Sequence, residues 1–180
     1  MFWWRKKSRK VPAEELRQEA ARLLRRGRYE EALALLERAL RKEPANFEAH
    51  INLGTAYYLL ATQRPELARG REGLMEEAVR HFEYVLGLDP SHATAMLNLA
   101  AAYNALGRVD EAVELLEKLT TQRPSHPDVH YNLALAYLQR GEKQRALEAL
   151  RRELEINPRS PHAPDLLRQL EGETGSEEGP

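Results

Sequence analysis

The sequence predicts an all-α protein, about four stacked helix pairs closed by a terminal helix. Three observations predict it. Prolines recur at Pro44, Pro90, Pro124 and Pro158, at intervals of 46, 34 and 34 residues. Small and polar residues keep the same time: Ala32, Ala78, Ala112 and Ala146 repeat at 46, 34 and 34, and Asn52, Asn98 and Asn132 at 46 and 34, as do Tyr57, Tyr103 and Tyr137. Between the prolines, amphipathic runs alternate with single glycines. A fixed period of this length marks a stacked-repeat protein.

The elements follow in order. In 13–44 two amphipathic runs flank Gly27, and Pro44 closes the unit. In 93–124 apolar residues recur at three- and four-residue spacing over 93–106, Gly107 stops that run, a second run covers 109–122, and Pro124 follows. The stretch 127–158 repeats this with Gly141. Glycine suits the internal stop because the residue past a helix end often takes the left-handed conformation. Proline suits the outer stop because it disfavours helix in the residue before it. Ser125-His126-Pro127-Asp128 reads as a capping box for the fourth unit, and Asn46, Ser91 and Ser160 stand at comparable starts, with Pro161 as a first helical residue. Ala20, Gly54, Ala100 and Ala134 in the first helices, and Ala32, Ala78, Ala112 and Ala146 in the second, let each pair cross closely. Leu35, Leu36, Phe82, Leu115, Leu116 and Leu150 fill the space between pairs, since one pair cannot bury its own apolar face.

The pattern resembles the tetratricopeptide repeat (TPR) family. The carriers are clearest in Asn98-Leu99-Ala100, Tyr103, Gly107, Ala112, Leu116 and Pro124, with matching stretches at 46–57, 76–90 and 127–158. The resemblance covers roughly residues 12–158. It implies a right-handed α-solenoid whose first helices line a concave surface. The expected organisation is a basic and aromatic segment at 1–11 and a solenoid at 12–171. Its units are about 12–45, 46–91, 92–125 and 126–159, followed by a capping helix at about 162–171 and a disordered acidic tail at 172–180. Leu166, Leu167 and Leu170 give the capping helix its apolar face. The first unit departs from the pattern, with Leu23 for tyrosine and Gln18 for asparagine. So does the fourth, with Glu153 where Ala39, Val85 and Leu119 stand. A buried carboxylate is costly, so Glu153 is expected at the exposed end of the stack.

The one long interval carries a 12-residue insertion. The first-helix landmarks of the second unit arrive on schedule and its second-helix landmarks arrive late. The insertion therefore lies within 62–75, where Pro65, Gly70 and Gly73 interrupt any long helix and Arg64, Arg69 and Arg71 add positive charge. It reads as a surface loop, tolerated cheaply or contacting a partner. Deleting 63–73 is expected to leave folding intact.

Chemistry is limited by composition. The chain has 180 residues, net charge −1 and no cysteine, so bulk attraction to polyanions, disulfides and thiolate sites are excluded. No apolar run approaches the ~20 residues that span a bilayer. His126 and His130 share a possible helix face, but no third ligand is spaced to join them and no HExxH is present; no metal and no cofactor are expected. Nor is there a phosphate-binding glycine loop or a nucleophile elbow, so the chain is read as no enzyme.

By helical spacing the inner line comprises Glu48, Asn52, Thr55 and Leu59, then Thr94, Asn98, Ala101 and Ala105, then Asp128, Asn132, Leu135 and Gln139. Tyr58, Asn104, Tyr131 and Leu138 flank it. An amide both donates and accepts, so a row of asparagines can hold a peptide backbone without demanding a sequence. The resemblance adds that several TPR superhelices hold peptides on such a ladder; the alternative is that these amides bond within the fold. Ile51, Leu97 and Tyr131 stand where a clamp for acidic chaperone tails would place lysine or arginine, and only Arg17 and Arg25 in the first unit are basic. A neutral or apolar segment is expected, with a positive charge near Glu48 or Asp128.

The first ten residues hold Phe2, Trp3 and Trp4 followed by Arg5, Lys6, Lys7, Arg9 and Lys10. Interfacial aromatics beside a basic run fit weak contact with anionic membrane. A segment folded onto the first repeat fits as well, a disordered start less well, and contact with nucleic acid least. The expected function is a non-catalytic adaptor that binds a protein or peptide in the groove. The alternative is a membrane-peripheral assembly factor tethered by this segment. The expected location is cytoplasmic, at most peripheral to a membrane's inner face; partner and oligomeric state are not legible.

Overall fold

The structure, a computed structural model, describes residues 11–64 and 70–177, with side chains to Gly172. The described residues form helices α1 (Ala13–Arg25), α2 (Tyr29–Leu40), α3 (Phe47–Gln63), α4 (Arg71–Leu88), α5 (Ala93–Leu106), α6 (Val109–Gln122), α7 (Val129–Gln139), α8 (Lys143–Ile156) and α9 (Ala163–Glu177), and no strand. The internal stops fall where the glycines predicted them: Gly27, Gly107 and Gly141 all carry φ near the left-handed value, at 71°, 75° and 76°. The chain divides into two compact units, the division falling inside α4 between Tyr84 and Val85. Sequence landmarks predict repeat boundaries near 45, 91 and 125 and contain no sign of this division.

The first unit packs α1 on α2 and α2 on α3. Its core is Ala20, Leu23, Ala32, Leu36, Ala49 and Leu53, with Leu24, Leu33, Leu35, Leu40 and Tyr57 packed around it. Ala20 and Ala32 are fully buried, as the close-crossing argument requires. Gly54 serves the same end more strictly, because a Cβ there would lie 2.5 Å from Phe82 Cε1.

The second unit packs α5 on α6, α6 on α7, α7 on α8 and α8 on α9, and also sets α5 against α7. Ala100, Ala112, Leu116, Leu119, Ala134, Ala146 and Leu150 are fully buried. Ala163 and Leu170 of α9 are buried too, which makes α9 the expected cover for α8.

Several local expectations are corrected. Asn46 does cap α3, its side chain accepting from Ala49 N at 3.0 Å. At α5 the cap is His92, whose Nδ1 accepts from Ala95 N at 3.3 Å, while Ser91 binds the Asp89 carboxylate one turn earlier. The box at Ser125 does not form: α7 starts only at Val129, and Asp128 sits at φ 66°. Helix α9 begins at Ala163 rather than Pro161 and continues to Glu177, beyond the predicted end at 171. Gly172 and Gly175 lower helix propensity by only about 1 kcal/mol each, and no proline intervenes before 180.

The described part of the 62–75 segment is largely helical. Helix α3 runs to Gln63, whereas its counterpart α5 stops at Leu106, the equivalent of Leu60. Helix α4 starts at Arg71, ahead of Met75, the equivalent of α6's first residue Val109. Gly73 therefore lies inside a helix instead of breaking one. Residues 65–69 lie outside the described residues.

Glu153 is the largest correction. It is 0% exposed, in the middle of the second unit rather than at an open end. Its Oε1 accepts from Asp128 N at 3.1 Å and from Asn157 Nδ2 at 3.4 Å, and its Oε2 is buried with no hydrogen-bond partner.

Candidate functional site

The residues predicted to form the inner line fall on α3, α5 and α7, with Asp128 just before α7. In the first unit Asn52, Thr55, Tyr58 and Leu59 are half-buried along α3. Thr55 Oγ1 donates to Ile51 O at 2.9 Å, so its hydroxyl is turned back on its own helix. In the second unit Asn98 and Ala101 on α5, and Tyr131, Asn132 and Leu135 on α7, are half-buried; Thr94, Asp128 and Gln139 are exposed. Asn104 is the exception, at 7% exposed.

These two helices are nearly free of charge. Helix α5 contains no Asp, Glu, Lys, Arg or His, and α7 contains only His130. Helix α6 carries four carboxylates and Lys118, and α8 carries several charges of both signs, joined on the surface in pairs such as Arg152–Glu155 at 2.6 Å. The segregation places a neutral, partly apolar strip on α5 and α7, with the Asp128 carboxylate just before it.

The amides in this strip are tied into the fold as well. Asn132 Nδ2 donates to Asp128 O at 2.8 Å, and Asn104 Nδ2 donates to Asn132 O at 3.3 Å, linking α5 to α7. Asn104 Oδ1 is buried without a hydrogen-bond partner. Asn104 is thus a strut between the two helices and presents no polar atom outward. Tyr131 meets the His162 ring at 5.8 Å between centroids.

In the first unit Arg17 is no clamp for an acidic ligand. Its side chain is 9% exposed, with Nη1 2.6 Å from Glu43 and Nε 3.4 Å from Glu48. Nη2 binds Glu14 as well. Three carboxylates around one buried guanidinium leave this end of the unit acidic.

The sequence reading missed two buried polar clusters. In the first, His50 Nε2–H donates to Pro44 O at 2.9 Å, so its Nδ1 accepts from His81 Nδ1–H, also at 2.9 Å. Tyr84 stacks near His50 at 4.0 Å and Tyr57 near His81 at 5.9 Å. Burial, then the neighbouring His50 and Arg80, holds the His81 pKa down to about 4. In the second, Tyr137 O–H donates to Glu117 at 3.0 Å while Arg145 lies over the ring at 4.1 Å and donates to the phenol oxygen at 2.9 Å. Burial and the Glu117 hydrogen bond push Tyr137 up to about 12. A cleft of about 310 Å³ opens here, with His130, Leu133 and Arg152 also in its wall. The recurring tyrosine was the available signal for this cluster: Tyr103 holds Arg108 over its ring in the same way, at 4.2 Å.

Among the described residues no trio of His, Asp and Glu is placed to hold a metal. His126 Nδ1–H donates to Pro127 O at 2.8 Å, and burial lowers the His130 pKa. Among the described residues no helix is long and apolar enough to cross a membrane. Phe2, Trp3, Trp4, Arg5, Lys6 and Lys7 lie outside the described residues.

Stacked helix pairs, with a charge-poor strip on α5 and α7, define a helical-repeat protein. Tetratricopeptide repeat models match residues 105–161 and 71–124, and a TPR repeat model matches 21–60. The chain belongs to the tetratricopeptide repeat family. Solved structures share the fold. A thermophilic TPR protein of Thermus thermophilus matches with a TM-score of 0.77 at 24% identity, over 91% of this chain and 84% of that one. MamA from Desulfovibrio magneticus matches at 0.69 and 26% identity, over 91% and 85%. PilF from Pseudomonas aeruginosa matches at 0.75 and 22% identity, over 91% and 69%. No curated protein matches the sequence. TPR domains in general mediate protein–protein interactions and are non-catalytic, and the fold places this chain among such scaffolds.

Proposed function

We propose that this protein is a non-catalytic adaptor that holds an extended peptide, or an extended segment of a partner protein, along its first helices. The observation that carries the reading is the charge segregation in the second unit. A strip with no ionised side chain of its own on α5, and only His130 on α7, runs beside helices crowded with charge. Desolvating a neutral strip costs little, whereas covering α6 or α8 would strip water from many ions.

Leu97, Ala101, Leu135 and Tyr131 supply apolar area, and the Asn98 and Asn132 amides meet a peptide backbone. Asn132 spends one N–H on Asp128 O and keeps its second N–H and its carbonyl oxygen for that purpose. On α3 of the first unit Asn52, Thr55, Tyr58 and Leu59 offer a similar mixture. The occupant of the α5–α7 strip is neutral or apolar with donors to spare, and an acidic tail is disfavoured because neither helix carries a lysine or arginine to meet it.

The test is affinity capture with the full chain beside an Asn98→Ala/Asn132→Ala double variant. Losing two backbone contacts of about 1 kcal/mol each should weaken partners roughly tenfold or more. The melting temperature of the double variant is measured alongside, because Asn132 also donates within the fold, to Asp128 O. Partners retained equally by the folded double variant would end this reading.

A further inference from the structure

Asp128 is the one non-glycine residue with positive φ among the described residues. Aspartate visits that conformation more readily than most L-residues, yet at a cost that contacts on its peptide groups help to offset. Both ends of its peptide are held. Its N–H donates to Glu153 Oε1 at 3.1 Å, and its carbonyl accepts from Asn132 Nδ2 at 2.8 Å.

The holder is itself anomalous. Glu153 is 0% exposed, and its Oε2 has no hydrogen-bond partner. The residue 34 places earlier, Leu119, is equally buried and apolar. A carboxylate in that slot is unfavourable beside a leucine of similar volume. The difference between the two slots appears in the helix that follows each loop. Helix α5 starts at Ala93, directly after its cap His92. The equivalent of Ala93 is Pro127, yet α7 starts at Val129. Above leucine the first turn is wound; above glutamate it is open, and Asp128 is left exposed before it.

We propose that Glu153 is a positioning residue: from inside the second unit it keeps the first turn of α7 open and holds the Asp128 carboxylate at the head of the α5–α7 strip, where it takes a cationic group, a lysine or arginine side chain, of the bound segment. The inference rests on the peptide-binding reading above and adds its charge preference. Asp128 is the only Asp, Glu, Lys or Arg in 124–139. A carboxylate beside a strip without competing cations selects a cation at that point and nowhere else along it.

The test is selection of random peptides displayed on phage against the immobilised full chain, its Asp128→Asn, Glu153→Gln and Glu153→Leu variants, and the Asn98→Ala/Asn132→Ala variant. The wild type and Glu153→Gln, which keeps an acceptor for Asp128 N–H, should select peptides with a lysine or arginine at one position. Replacing that residue with norleucine should cost about tenfold in affinity. Asp128→Asn and Glu153→Leu should lose the preference while still binding the norleucine peptide. Glu153→Leu should also melt higher than wild type and move the Asp128 backbone chemical shifts toward helix. A merely structural glutamate would give the opposite, a less stable variant with the cation preference intact. If peptides depend on Asn98 and Asn132 but show no cation preference, this inference fails and the groove reading stands. If selected peptides ignore Asn98 and Asn132, or none is selected, the groove reading fails and takes the inference with it. Should Glu153→Leu not fold, an Asp128→Asn protein that retains the preference is enough to overturn the proposal.

Discussion

Gly54 lies directly against the Phe82 ring. The 34-residue rhythm identifies Gly54 as a small residue among alanines at equivalent places, and the reason for glycine here is the Phe82 ring. A methyl at 54 would have to displace aromatic carbons at 2.5, 2.7 and 2.9 Å. Gly54→Ala should therefore destabilise the protein by about 2 kcal/mol, although alanine is the better helix former. Urea denaturation measures this, and adding Phe82→Leu should recover most of the loss. The histidine pair makes a second residue-scale prediction. A histidine held down to about 4 in the folded protein binds fewer protons than the unfolded chain between that value and the ordinary 6.5. Stability is then full above about pH 6.5 and is lost as pH falls toward 4. His50 and Arg80 are the charged or titratable neighbours that oppose protonation; Tyr57 and Tyr84 flank the rings, and Glu77 and Glu37 lie near Tyr57. After allowance for the ring's partial exposure, the wild type should lose about 1 kcal/mol more between pH 7 and 5 than His81→Gln. Equal pH slopes for the two proteins would remove the pair from the account.

Helix ends were legible where a single residue type determines them. Gly27, Gly107 and Gly141 fell in place because a left-handed stop excludes most other residues, and Asn46 because its side chain reaches the next turn unaided. The start of α7 was not legible. Ser125 and Asp128 had the spacing of a capping box, but Asp128 takes a positive φ and its N–H donates to Glu153, 25 residues further on. The segment 62–75, expected to interrupt any long helix, is helical at both described flanks. Its flanks became extra helical residues at the end of α3 and the start of α4, and Gln63 accepts a hydrogen bond from the buried Tyr29 hydroxyl. Deletion of 63–73, harmless by sequence, should now lower the melting temperature by several degrees. Losing the Tyr29 partner costs about 1–2 kcal/mol, and the first turn of α4 is lost as well. A variant that removes only 65–69 separates these residues from the segment between them: it should melt close to wild type.

For the molecule as a whole, the period in the sequence determined the class of fold, the pairing of the helices and the cover by α9. Those are consequences of local periodicity and of side-chain volume, which a chain carries wherever it is read. Tertiary structure alone decided the division inside α4, the burial of Glu153, the three carboxylates around Arg17, and the internal use of Asn104 and Asn132. Each of these joins residues far apart in sequence through a hydrogen bond, an ion pair or exclusion from water. Such terms depend on distance in space, and no spacing along the chain encodes them.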